Sequence, residues 1–114
     1  AVLGVTFKED CPDLRNTKVP DIINHLNTYG CEIKVTDPFA DIKVAKEHLN
    51  IDLLDINQIP KSDAVIIAVA HNEYKALTTE QWQKMFNNNG IVIDVKSIYI
   101  KDYFAGTNLN HWRL

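Results

Sequence analysis

The sequence is poor in most of what marks a specialised protein class. It has two cysteines, Cys11 and Cys31. Two thiols make no disulfide framework, and such sparing use fits a reducing compartment, so a cytoplasmic location is expected. No apolar run is longer than Ala64 to Ala70, far below the ~20 residues of a membrane-spanning helix. No secretory leader is legible. Neither sign of charge dominates: Lys and Arg number 12, Asp and Glu 15, for a net charge of -3. No general positive field therefore draws nucleic acid or a membrane surface. Glycine is scarce, and none lies between Val5 and Tyr29. The first strand-to-helix loop thus lacks the glycine fingerprint of an autonomous dinucleotide cradle. The four histidines, His25, His48, His71 and His111, have no metal-ligand spacing, so no metal site is expected. No repeat, low-complexity tract or linker occurs.

What remains is the make-up of an ordinary globular domain, 46% apolar and 24% charged over 114 residues. That length suits a single domain, residues 1–114, which buries roughly two-thirds of its unfolded surface. The chain opens inside an apolar run, Ala1-Val2-Leu3-Gly4-Val5, with no initiator Met. It is expected to be a fragment of a longer protein.

Strand and helix patterns alternate along the chain. Ala1–Thr6 reads as a buried strand, followed by a polar loop to Asn16. Thr17 can cap a helix in which Val19, Ile22, Ile23, Leu26 and Tyr29 share one apolar face. Pro20 suits its first turn and Gly30 its end. Cys31–Thr36 reads as a second strand, closed by Asp37-Pro38. Asp41–His48 is a short helix, Ile51–Leu54 a brief extended piece, and Ile56–Lys61 a helical turn. Asp63–Ala70 is the strongest strand, apolar on both faces, which points to a parallel sheet covered by helices. His71–Ala76 is a loop with a helical turn. Thr79–Asn87 reads as a helix capped by Thr78 or Thr79 and ended by Asn87-Asn88-Asn89-Gly90. Ile91–Val95 is a further buried strand, Ser97–Phe104 a short helix and Asn108–Leu114 a closing edge strand. The expectation is an α/β domain, a three-layer sandwich on a mainly parallel sheet.

Ligands of such folds sit at the carboxyl ends of the strands. Four segments qualify: Thr6–Asn16, Asp37–Phe39, Ala70–Glu73 and Asp94–Tyr99. In the first, Lys8 and Arg15 stand among Glu9, Asp10 and Asp13. Either these cations hold an anion near a helix N-terminus, or the acids neutralise them in solvent. Lys96 follows the last buried strand and would join Lys8 at one edge as a second anion donor, or stand as an ordinary exposed lysine. Asp37 occupies the place of a ribose-binding acid, but without glycines it reads better as a turn residue. His71 lies at a strand end, where a lone histidine is more often structural than catalytic. Cys11 has no histidine base nearby in sequence and reads as a non-catalytic thiol. Lys8, Lys96 and the Glu9-Asp10 pair also suit a phospho-receiver layout, yet Ala70-His71-Asn72 lacks the acceptor aspartate.

The run Gly4-Val5-Thr6-Phe7-Lys8-Glu9-Asp10-Cys11-Pro12-Asp13-Leu14-Arg15-Asn16-Thr17 resembles the start of the C-terminal domain of the UDP-glucose/GDP-mannose dehydrogenase family. The similarity continues through Asp37-Pro38, Ala64–His71, Ile93-Asp94-Val95-Lys96-Ser97 and His111-Trp112-Arg113-Leu114. The Lys-Glu-Asp-Cys-Pro-Asp-Leu-Arg-Asn version is most similar to bacterial UDP-N-acetylhexosamine 6-dehydrogenases of surface-polysaccharide synthesis.

This resemblance implies a Rossmann-like, nucleotide-sugar-binding fragment of a three-part enzyme. An N-terminal domain would bind NAD, and a central helical region would supply a homo-oligomer contact. The family oxidises the C6 alcohol of a UDP-sugar twice, to a uronic acid, using a cysteine outside this chain. Catalytic residues are therefore not expected here, Cys11 included, and the fragment alone would be inactive. By position, Phe7 and Lys8 would face the nucleotide-sugar and Arg15 would reach the cofactor across a cleft. Lys96 would lie near the nucleotide end, where relatives often carry arginine. Two readings from other classes stand beside this one: a non-catalytic receiver-like or protein-interaction domain, and a stand-alone dinucleotide-binding domain.

Overall fold

The computed structural model describes all of residues 1–114. Five parallel strands form one sheet: β1 (Val2–Leu3), β2 (Val35–Thr36), β3 (Ser62–Ile67), β4 (Phe86–Asp94) and β5 (Leu109–Arg113), in the order β2-β1-β3-β4-β5. A single parallel bridge from Val35 to Leu53 adds a further extended piece beyond β2. Four helices connect them: α1 (Val19–Thr28), α2 (Ile42–Leu49), α3 (Asn72–Lys75) and α4 (Thr79–Gln83), with a 3-10 turn at Ile56–Gln58. The expected α/β sandwich is the fold observed, and its sheet is parallel throughout.

Side-chain alternation divides the core into two layers. Leu3, Val65, Ile67 and Val92 face Tyr74 of α3 and Trp82 of α4, with Phe86, Tyr99, Phe104 and Leu109 completing that layer. Val2 and Val35 face the other way, against Val19 of α1 and Ala45 of α2. Trp82 is wholly buried, so its truncation to Ala would cost about 3–5 kcal/mol. Its indole N–H donates to the Tyr99 hydroxyl at 2.9 Å. Tyr99 in turn donates to the Tyr74 carbonyl, which pins the β4–β5 connection onto α3. Burial, with nearby Tyr103 and Asp94, pushes the Tyr99 hydroxyl up to about 12 despite its bond from Trp82.

Beyond α1, the second face is less covered. The register aligns Ile66, Ile93 and Trp112 across β3, β4 and β5. Ile91 and Ile93 are half-buried there, while Trp112 and Leu114 are exposed.

Several boundaries differ from the sequence pattern. The helix expected over Thr79–Asn87 stops at Gln83, and Phe86 already belongs to β4. Between the pairs Ser62–Phe86 and Ala64–Ile91, β3 advances less than β4, so exposed Asn87, Asn88 and Asn89 bulge out of the strand instead of ending a helix. Segment 97–104 is not a helix: it is irregular as far as Ile100 and turned from Lys101 onward. The strands expected over Ala1–Thr6 and Cys31–Thr36 pair over only Val2–Leu3 and Val35–Thr36; past Gly4 the Val5 and Thr6 amides donate to the Asp37 carboxylate instead of to a neighbouring strand. Thr78 caps α4, accepting from the Gln81 amide. The α1 cap position is Lys18, without a side-chain bond, while Thr17 Oγ1 accepts from the Val19 amide at 3.3 Å.

Gly4 ends β1 with φ +96, and a Cβ there would lie 2.5 Å from the Val69 Cβ. Strand β1 can leave the sheet here only because no side chain intervenes. Gly4→Ala combines a left-handed backbone with an immovable neighbour and should cost about 2–4 kcal/mol. Urea denaturation of the two proteins checks this, and a loss below about 0.5 kcal/mol would contradict the clash.

Candidate functional site

In a parallel sheet every strand delivers its following loop to the same edge. Phe7, Lys8 and Arg15 follow β1, Asp37 follows β2, His71 follows β3, and Lys96 follows β4. All lie at the carboxyl edge. Phe7, Lys8, Arg15 and Lys96 are exposed there, whereas Asp37 and His71 are buried.

The Asp37 carboxylate binds three segments together. One oxygen, Oδ2, accepts from the amides of Val5 at 2.7 Å and Thr6 at 3.2 Å. The other, Oδ1, accepts from the amides of Phe39 and Ala40, which closes the local turn. His71 Nε2 completes the set at 2.9 Å from Oδ2. Burial pushes this carboxyl up, but the His71 bond and the Val5 and Phe39 amides outweigh it and hold Asp37 below the ordinary carboxylate range.

The His71 ring is fully buried. Its Nδ1 accepts from the Asp10 amide at 2.9 Å, so Nδ1 carries no proton. Nε2 carries it, pointing at Asp37 with the Thr6 hydroxyl 3.2 Å away. This is a neutral imidazole with both nitrogens satisfied, so its closeness to Asp37 is a hydrogen bond and not an ion pair. Asp10 returns the link, its carboxylate accepting from the Asn72 amide at 2.9 Å. Asp10 holds φ 53, a left-handed conformation that these reciprocal bonds maintain. Three of the four strand-end segments, 6–16, 37–39 and 70–73, thus meet on one ring.

The fourth segment is held separately by the same device. Asp94, wholly buried at the end of β4, accepts from the amides of Ile98 and Tyr99, each at 3.0 Å. His111 Nε2 lies 3.2 Å from the same carboxylate. The His111 Nδ1 is buried without a partner.

Of the cations, Arg15 is not free. Its guanidinium meets Asp13 with two bonds, 3.0 and 3.1 Å. That contact holds Asp13 below its ordinary range and Arg15 above its own. Arg15 is thus paired with one of the acids that flank it in sequence. Lys8 and Lys96 form none of the ion pairs. The Phe7 amide donates to the Asp13 carbonyl at 2.8 Å, and the Thr6 hydroxyl to the Lys8 carbonyl at 3.0 Å, so the loop is folded back on itself. Beside it lies a 350 Å³ groove lined by Pro12, Asp13, Leu14, Arg15, Asp41 and His48, among others. A larger groove of 530 Å³, which includes Ala1, Cys31, Asp63 and Ile93, lies at the opposite, amino-terminal edge. It brings together none of the predicted site residues, so we place the candidate site at the carboxyl edge despite its smaller cavity.

The sequence pattern singled out the cations and missed the two aspartate–histidine anchors. Their only local trace is an aspartate just past or at a strand end, at Asp37 and Asp94. Their partners lie tens of residues away.

Helices on both faces of a parallel sheet, with cations on its carboxyl edge, define a Rossmann-like α/β domain. The chain belongs to the UDP-glucose/GDP-mannose dehydrogenase family, matching its UDP binding domain over residues 1–101. It is 41% identical over 113 residues to Protein CapL of Staphylococcus aureus, covering 99% of this chain and 26% of that protein. It is 36% identical over 101 residues to a UDP-N-acetyl-D-glucosamine 6-dehydrogenase of Pseudomonas aeruginosa, covering 89% of this chain and 24% of the relative. The chain thus spans about a quarter of these relatives' length. The fold is shared with an NDP-N-acetyl-D-galactosaminuronic acid dehydrogenase from Methanosarcina mazei Go1, with a TM-score of 0.86 at 22% identity over 99% of this chain and 23% of that one. The family match does not favour the receiver-like or protein-interaction reading. No helix is long and apolar enough to cross a membrane.

The Asp37 anchor has a pH signature. Its carboxyl titrates below the unfolded value of about 3.9. Its stabilisation is therefore complete above that value and lost as pH falls through the lower, folded one. Asp37→Asn should cost about 2–4 kcal/mol at neutral pH. It should also flatten the decline in stability below about pH 4. Denaturant titrations from about pH 7 down to pH 3 test both, and an unchanged acid limb in the variant would remove Asp37 as its source.

Proposed function

We propose that residues 1–114 form the nucleotide-sugar-binding domain of an NAD-dependent UDP-sugar 6-dehydrogenase. This enzyme oxidises the C6 alcohol of its sugar to a uronic acid for surface-polysaccharide synthesis. The observation that carries the reading is the family match together with two cations free of acidic partners, Lys8 and Lys96, on one sheet edge. A UDP-sugar brings a diphosphate, and each charge-assisted bond to it contributes roughly 1.5–3 kcal/mol where partly buried. Lys8 and the exposed ring of Phe7 face the nucleotide-sugar, and Lys96 takes the nucleotide end as a point charge without the flat fork of arginine. The names of the relatives favour an N-acetylated hexosamine and a capsule role.

The residues present do not fit a complete NAD site. The first loop has no glycine, and the one glycine near it, Gly4, has its Cβ space filled by Val69. NAD would therefore be held mainly by an N-terminal domain outside this chain, and hydride transfer with it. Arg15 would reach the cofactor across the cleft, and an anionic ligand there must displace Asp13 from its guanidinium. A central helical region would complete the parent as a homo-oligomer. The chain alone would bind but not turn over, in the cytoplasm.

In the parent enzyme, Lys8→Ala and Arg15→Ala should each lower activity by about tenfold or more with little change in melting temperature. Steady-state kinetics beside thermal unfolding check this, and near-wild-type kinetics in both would end the assignment. A UDP titration followed by amide NMR should shift resonances at Phe7–Arg15 and Lys96–Tyr99, with GDP inert. Shifts confined to the amino-terminal edge would relocate the site to the larger groove.

A further inference from the structure

We propose that His71 is a positioning residue for nucleotide binding, acting through its Nδ1 and not through its bond to Asp37. The inference rests on the reading of Phe7 and Lys8 as nucleotide-facing residues.

The two nitrogens of this ring do different jobs. Nε2 faces Asp37, which joins the ends of β1 and β2, so that side holds fold elements together. Nδ1 faces outward to the Asp10 amide, in the middle of the exposed loop between Phe7 and Arg15. No other bond runs from that amide to the buried layer, and the Asp10 carboxylate clasps Asn72, the residue after His71. The loop is thereby fastened at its centre to the end of β3. Its near end is fastened too, by the Phe7 amide on the Asp13 carbonyl and the Thr6 hydroxyl on the Lys8 carbonyl. Lys8 lies two residues from the fastened amide and has no partner of its own to set its direction. Its place at the edge is inherited from the backbone that His71 holds. A fully buried ring gains nothing from touching ligand, so its effect on binding passes through Asp10.

Two substitutions separate the jobs, because each amide side chain copies one nitrogen. Asparagine places an oxygen where Nδ1 sits, so His71→Asn keeps an acceptor for the Asp10 amide and loses the donor to Asp37. Glutamine places an N–H where Nε2 sits, so His71→Gln keeps the donor to Asp37 and loses the acceptor. Stability should fall further in His71→Asn, which leaves a buried carboxylate short of a donor. Affinity should fall further in His71→Gln. UDP binding to the full-length enzyme, measured by calorimetry, should weaken by about tenfold in His71→Gln, as one lost hydrogen bond allows. It should stay within about threefold of wild type in His71→Asn. The orders of stability and of affinity are then opposite. A merely structural histidine gives the same order for both, and that result would overturn the inference.

A measurement on the unaltered enzyme stands behind these variants should either fail to fold. If opening of the Asp10–His71 bond and loss of UDP are coupled, saturation slows hydrogen exchange at the Asp10 amide by 1 + [UDP]/Kd, about tenfold at roughly ten times Kd. Exchange indifferent to UDP would overturn the inference. Lys8→Ala in the same calorimetric assay separates the two levels of reading. Unchanged affinity there removes the nucleotide site and this inference with it. Weakened affinity there, with His71→Gln unaffected, removes this inference alone.

Discussion

The carboxyl edge depends on one buried carboxylate. Asp37 ties the segments that follow β1, β2 and β3 together through polar bonds at one point. A charge buried this deeply is tolerated only when donors surround it. Here four backbone amides and an imidazole N–H supply them. The chain must bring all these donors to one point, and this requirement fixes where β1 stops, how the Asp37-Pro38 turn closes and which way the His71 ring faces. Gly4 serves the same constraint, since β1 must bend away from Val69 to present the Val5 and Thr6 amides.

The motif repeats across the sheet with different partners. Asp94 ends β4 as Asp37 follows β2, takes two amides of the following turn, and meets the Nε2 of a histidine. Each anchor holds down a loop that bears a free lysine, Lys8 near one and Lys96 near the other. The difference lies at the remaining nitrogen. His71 uses its Nδ1 to hold Asp10, while the Nδ1 of His111 meets nothing.

Much of the fold was legible in the residues. Apolar, β-branched runs such as Ala64–Ala70 announce buried parallel strands, and the spacing of Val19, Ile23 and Leu26 announces α1. The edge cations were legible because a lysine just past a strand end has only one place to go in a parallel sheet. The anchors were not, since Asp37 and His71 are separated by 34 positions and such pairs leave no periodic trace. Asp37-Pro38 did read correctly as a turn, for the bonds to Phe39 and Ala40 are local. The Asn87–Asn89 run misled for a similar reason. Its polar, turn-like composition describes an exposed bulge as well as it describes a helix end, and only pairing with β3 decides between them.

A loop fastened at its centre by a neutral ring has a thermodynamic consequence for any ligand it meets. Ordering a free loop of this length at the moment of binding costs conformational entropy residue by residue. Here that ordering is completed while the domain folds, when the Asp10 amide closes on His71. A ligand that met this loop would find its backbone already ordered, with the exposed side chain of Lys8 still to be fixed. Binding to a backbone ordered in advance would carry less of the entropic cost that slows and weakens association with a free loop.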